Sequence, residues 1–108
     1  MKLFLDISHT QFTVTRGVAE KVDENGRQKT QRNTNEPLWT VQLMALEESG
    51  GEILNVTVAG VPPKVTPGQS VIPVQLEAIP WAQGTRNGVA FRAAQLNPVA
   101  AGAKSAAA

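Results

Sequence analysis

Between Leu38 and Ala59 apolar and polar residues alternate with a period of two. The stretch "LWTVQLMAL" puts Trp39, Val41, Leu43 and Ala45 on one face and Thr40, Gln42 and Met44 on the other. "ILNVTVAG" repeats the pattern with Leu54, Val56 and Val58. Successive side chains of a strand point to opposite faces, so each run buries one face and exposes the other. The "EESGGE" between them is rich in turn formers, and the pair predicts an antiparallel hairpin.

The same reading extends to both sides. From about Leu3 to Val22 a strand region carries Phe12, Val14, Arg16 and Val18 against Thr13 and Thr15. A bend or break is expected near Ser8 to Gln11, and a bulge at Gly17. "DENGRQKTQRNTNEP" follows, with no apolar residue but Pro37, and reads as a long connection or hairpin tip. "VPPKVTPGQ" is a loop, since consecutive prolines cannot pair in a sheet. In "SVIPVQLEAIPW", Ile72, Val74, Leu76 and Ala78 alternate with Gln75 and Glu77, while Pro73 and Pro80 place this strand at an edge or corner. "AQGTRNG" is a turn and "VAFRAAQL" the last strand, with Val89 and Phe91 on one face and Ala90, Arg92 and Ala94 on the other.

Five strands in about ninety residues predict a small sandwich or barrel. The long first and last connections favour a five-stranded antiparallel OB-like barrel, a fold that binds oligonucleotides with such loops. The expected core is Val14, Val41, Leu43, Leu54, Val56, Val74, Leu76 and Phe91. Residues 1–97 form the single barrel domain. The Ala-rich end, residues 98–108, reads as a disordered tail, having helix propensity but nothing to pack against.

Composition changes this picture little; charge distribution changes it more. The 108 residues suffice for one domain, and there are no cysteines, hence no disulfides or thiolate chemistry. An aspartate already at position 6 interrupts any signal-peptide core, and no apolar run nears the ~20 residues of a membrane span, so a cytoplasmic protein with no membrane partner is expected. Net charge is only +1, but no acidic residue follows Glu77, whereas Arg86, Arg92 and Lys104 do. Arg27, Lys29 and Arg32 crowd the polar connection, and Glu47, Glu48 and Glu52 gather elsewhere. A basic side and an acidic side are expected.

Little points to catalysis. His9 is the single histidine; Ser8, His9 and Asp6 are near neighbours on one strand, whose adjacent side chains diverge. Neither phosphate-loop pattern, GxGxxG or GxxxxGK[ST], occurs. The expectation is a non-enzymatic protein with no cofactor and no metal.

The two basic, acid-poor segments coincide with the two loops that an OB-like barrel uses for binding. Single-stranded nucleic acid is held by aromatic faces that stack on bases and cations that neutralise phosphates. The candidate residues are Arg27, Lys29, Arg32, Trp81, Arg86 and Arg92. Trp81 is out of phase with Val74, Leu76 and Ala78 and is the stacking candidate; Trp39, in phase with Val41 and Leu43, is assigned to the core. The competing reading makes the loop cations ordinary solvated charge and both tryptophans core.

"EPLWTVQLMAL" and "VTPGQSVIPVQLEAIPWAQGTRNGVAFRAAQL" resemble small regulatory proteins of actinobacterial integrative conjugative elements and plasmids, the Pra-type activators of replication, integration and excision. The resemblance runs from about Phe12 to Leu96. It implies a mobile-element setting, in which single-stranded DNA arises, and carries over no catalytic residue. Single-stranded DNA is therefore the expected partner. The alternative is an adaptor contacting a replication or recombination protein without touching DNA, and exposed edge strands leave room for a homodimer.

Overall fold

The structure, a computed structural model, describes residues 3–99. Eight strands account for most of them: β1 (Leu3–Phe4), β2 (Gln11–Glu20), β3 (Leu38–Glu47), β4 (Gly50–Ala59), β5 (Ser70–Val74), β6 (Glu77–Gln83), β7 (Arg86–Arg92) and β8 (Gln95–Pro98). No helix occurs among the described residues. The all-β expectation holds; the count of five does not.

Three of the expected strands each break in two. The first breaks over residues 5–10, around the expected bend, giving β1 and β2. Gln75, with a left-handed φ of 53°, separates β5 from β6, and Ala93–Ala94 separate β7 from β8. β2 also shifts register between Arg16 and Ala19, so the bulge falls at Gly17 as expected.

All eight strands join one sheet in the order β1-β6-β7-β4-β3-β2-β5-β8. Every pair is antiparallel except β4 with β7, which run parallel with Val56 opposite Phe91 and Thr57 opposite Arg92. The breaks explain the shape. β5 and β6 lie five strand spacings apart in this order, about 24 Å across a flat sheet. Only Gln75 and Leu76 join them, a reach of at most about 11 Å. The sheet must curl until its ends approach, and it does so as a strongly curved half-barrel.

Backbone bonds stitch the curl. The Ala93 N–H donates to Thr57 O (3.0 Å) in mid-sheet, and the next N–H, Ala94, donates to Val74 O (2.9 Å) at the far end. The chain changes partner strand between two consecutive residues. Two alanines fit there because little side-chain volume has to cross the junction.

The concave side holds the core. Val14, Val41, Leu43 and Val56 are its most deeply buried side chains, joined by Phe12, Leu54, Val71, Leu76 and Leu96 among others, and Phe91 packs against them half-buried. The expected core needs one correction, at Val74. Val71 and Pro73 point inward on β5 and Val74 is only half-buried. Alternation read straight through residues 70–81 cannot see the reset at Gln75, after which Leu76 and Ala78 return to the core.

Two of the residues read as tail, Pro98 and Val99, fall among the described residues. Pro98 lies in β8 opposite Val71, and the Val99 N–H donates to Ser70 O at 2.8 Å. Residues 100–108 lie outside the described residues. Each such bond contributes about 0.5–1.5 kcal/mol, and about 1 kcal/mol moves the melting temperature of a domain this size by roughly 4–8 °C. A chain ended at Asn97 should therefore melt several degrees below one ended at Val99, as read by differential scanning calorimetry.

Candidate nucleic-acid interface

The β6–β7 hairpin carries the candidate aromatic and two of the candidate cations. Its register pairs Glu77 with Arg92, Ile79 with Ala90, Trp81 with Gly88 and Gln83 with Arg86. Side chains two apart share a face, so Arg92, Trp81 and Arg86 all rise from the same side. That side is opposite the one on which Phe91 and Ala78 meet the core. Arg86 and Arg92, six residues apart on β7, are separated by about 20 Å along the strand, with Trp81 between them.

Gly88 is what lets Trp81 lie there. A Cβ built on Gly88 would come within 2.8 Å of Trp81 Cζ2 and 3.0 Å of Cε2, so the indole rests directly on the glycine backbone. This is the arrangement in which an aromatic covers a strand glycine across the pair. Trp81 stays 41% exposed, leaving ring surface for another planar group. Trp39 differs: it is half-buried on the core face, and its Nε1–H donates to Gly60 O at 2.7 Å.

The polar connection between β2 and β3 is ordered by its own backbone. The N–H of Lys29 donates to Lys21 O and that of Leu38 to Lys29 O (2.9 Å), while two turns project beyond them. In the first turn, Asp23 Oδ1 accepts the N–H groups of Asn25 (2.8 Å) and Arg27 (3.0 Å). In the second, Gln31 O accepts the Asn35 N–H, and Asn35 takes a positive φ of 57°. The segment lies against the outer face of the sheet, where Arg92 Nη2 donates to Gln31 Oε1.

Here the structure gathers charge. Lys21 Nζ donates to Thr57 Oγ1 at 2.9 Å, and Thr57 is the register partner of Arg92. Burial, then the neighbouring charges of Lys29 and Arg92, hold the Lys21 ammonium below its usual pKa. Three cations therefore share one patch: Lys29 and Arg92, both expected, and Lys21, which sequence patterning does not single out. Arg27 and Arg32 sit exposed on the two turns, and Arg86 stands at the far end of the hairpin. Asp23, Glu24 and Glu36 belong to the polar connection itself and Glu77 is the register partner of Arg92, while Glu47, Glu48 and Glu52 gather at the β3–β4 turn. That turn lies about 23 Å along β4 from Thr57.

The chain matches no family model, no curated protein and no solved structure.

Other sites add little chemistry. The Ser8 N–H donates to Asp6 Oδ1 (3.0 Å), which pulls the Asp6 carboxyl below its ordinary range and closes a local turn. Among the described residues no three of His, Asp and Glu come together as a metal site, and no helix is long and apolar enough to cross a membrane.

The lowered Lys21 pKa has a measurable sign. The folded chain gives up this proton at lower pH than the unfolded chain, so between the two values the unfolded chain binds more protons. Stability contributed by this residue therefore rises with pH across that alkaline window. Urea unfolding should show wild type gaining on Lys21→Met between neutral and alkaline pH. A difference that stays constant would mean that burial and its cationic neighbours do not hold Lys21 below its usual pKa. An anion placed on the patch offsets the same repulsion.

Proposed function

We propose that this protein is a non-enzymatic nucleic-acid-binding protein that holds single-stranded DNA with weak sequence preference. The observation that carries this reading is the hairpin register, which sets Arg86, Trp81 and Arg92 on one face and ends beside Lys21 and Lys29. A strand lying along that face meets cation, aromatic surface and cation in turn, the combination that binds bases by stacking and phosphates by charge. Arg27 and Arg32 extend the positive field from the turns above.

The finer fold reading, an OB-type barrel, is supported by connectivity. If β5 with β6 and β7 with β8 are each taken as one bent strand, β2 and β3 precede β4, and the fifth such strand lies parallel to the third. The binding track then runs over the loop between the first two strands and the hairpin of the last two, as such folds do. The acidic β3–β4 turn lies off the track. The resemblance to Pra-type proteins supports a role in replication, excision or transfer of a mobile element.

Titrating the protein with oligo(dT) and with duplex, following tryptophan fluorescence at several salt concentrations, tests this. Quenching by oligo(dT) that weakens steeply with salt is expected, the slope of log K against log salt growing by about −0.7 per phosphate neutralised. No binding at low salt removes the proposal. A second reading then takes over, in which the protein is an adaptor for a replication or recombination protein. It is favoured by one observation: Met44, Leu46 and Ile53 are exposed together on the outer face near the β3–β4 turn. An exposed cluster of apolar side chains is a common protein-docking surface.

A further inference from the structure

Arg92 borders two environments. On one side is the cationic patch; on the other, the sheet and the polar connection enclose a cleft of about 530 Å³, within the roughly 300–1,000 Å³ typical of small-molecule sites. Its floor is a row of register partners: Phe4 opposite Glu77, and Glu77 opposite Arg92. Gln31, Asn33 and Glu36 of the polar connection line the other wall.

Glu77 is the anomaly in this row. It is the buried charged residue among the described residues, only 8% exposed, and its register partner Arg92 turns Nη2 to Gln31 Oε1. A buried acceptor short of donors is costly, and this one lines the cleft. Phe4, its neighbour, is 59% exposed and also lines the cleft. Arg92, having given one N–H to Gln31, keeps four others.

We propose that this cleft receives one unstacked guanine of the bound strand. The inference rests on the nucleic-acid reading above and names a base preference within it. A carboxylate only accepts hydrogen bonds, and guanine alone presents two adjacent donors, N1–H and N2–H, on its Watson–Crick edge. Its O6 is an acceptor beside them, matched by the donors of Arg92 or Asn33. Adenine and cytosine offer a single amino donor next to a ring-nitrogen acceptor, and thymine one N–H between two carbonyls; each sets a lone pair against the Glu77 carboxylate. Phe4 supplies the aromatic surface on which a splayed-out base stacks. Stacking along Trp81 stays indifferent to sequence, so the preference applies at one position.

The test is fluorescence anisotropy with labelled oligo(dT) and the same oligomer carrying one dG, dA or dC, together with backbone-amide NMR shifts on adding GMP. The dG oligomer should bind roughly tenfold tighter or more, the scale of one well-made base contact. GMP should shift the amides of Phe4, Glu77 and Arg92. In Glu77→Gln and Phe4→Ala the dG advantage should disappear, and the wild-type comparison stands even if either variant folds poorly. Equal affinity for all four oligomers overturns the guanine cleft and leaves the strand-binding track intact. An equal gain from dA or dC overturns it likewise. If no oligomer binds but GMP shifts these amides, the cleft stands as a guanine nucleotide site and the track falls. If neither binds, both fall.

Discussion

Val56→Asp should abolish the folded state at room temperature, while Ile53→Asp, three residues earlier on the same strand, should leave it standing. Val56 is 0% exposed in the middle of β4, opposite Val41 on one side and Phe91 on the other. An unpaired carboxylate there has no donor within reach and no route to water, and such burial costs several kcal/mol. The total stability of a domain this small is about 5–15 kcal/mol, and the variant also loses the packing of the valine. Ile53 points to the opposite face and is 51% exposed, so a charge there remains hydrated. Circular dichroism and urea titration of the two variants decide the matter. If both unfold, or neither, the register of β4 is not the one described.

Trp81→Ala should weaken single-strand binding about tenfold or more, since each stacked base contributes roughly 1–3 kcal/mol. Its salt dependence should stay close to wild type, because no charge is lost. Arg86→Gln should do the reverse, flattening the slope by about 0.7 for the phosphate it no longer meets. Gly88→Ala supplies an independent arm. Gly88 needs no left-handed backbone, so the fold should survive, but the new methyl must displace the indole that lies 2.8 Å from its position. Loss of affinity with both tryptophans present would place the effect on the seating of Trp81 rather than on its presence. Trp39, tied to Gly60 O, serves as an internal fluorescence reference. Unchanged affinity in both Trp81→Ala and Gly88→Ala would remove stacking from the mechanism and leave only charge.

How far the sequence reaches depends on how local the deciding interaction is. For β3 and β4, alternation was sufficient. The two strands pair with each other over ten positions through one tight turn, from Leu38–Ala59 to Glu47–Gly50, and with one face buried any slip by one residue would expose every core side chain. The same local rule placed Trp81 and Arg92 away from the core and put the bulge at Gly17. The grouping of Glu47, Glu48 and Glu52 at one turn was legible too, because it needs only the order of residues along the chain.

The curl of the sheet was decided elsewhere. That residues 70–83 and 86–98 each serve both ends of one sheet follows from pairings with β1, β2 and β4, distant in sequence. The kink at Gln75, where φ is 53°, inverts the phase of Val74, and alternation along the chain does not reveal it. The candidate surface divides in the same way. Period-two counting puts Trp81 and Arg92 off the core, whereas Arg86, read as part of a turn, joins their face because β6 ends at Gln83 and β7 begins at Arg86. Lys21 beside Arg92, and Glu77 between Phe4 and Arg92, come from separate segments brought into one row by long-range pairing. Their burial and the crowding of their charges exist only once the sheet has closed around them. A side chain's partner across a sheet is set by register between distant strands, and nothing in the residues flanking it encodes that register.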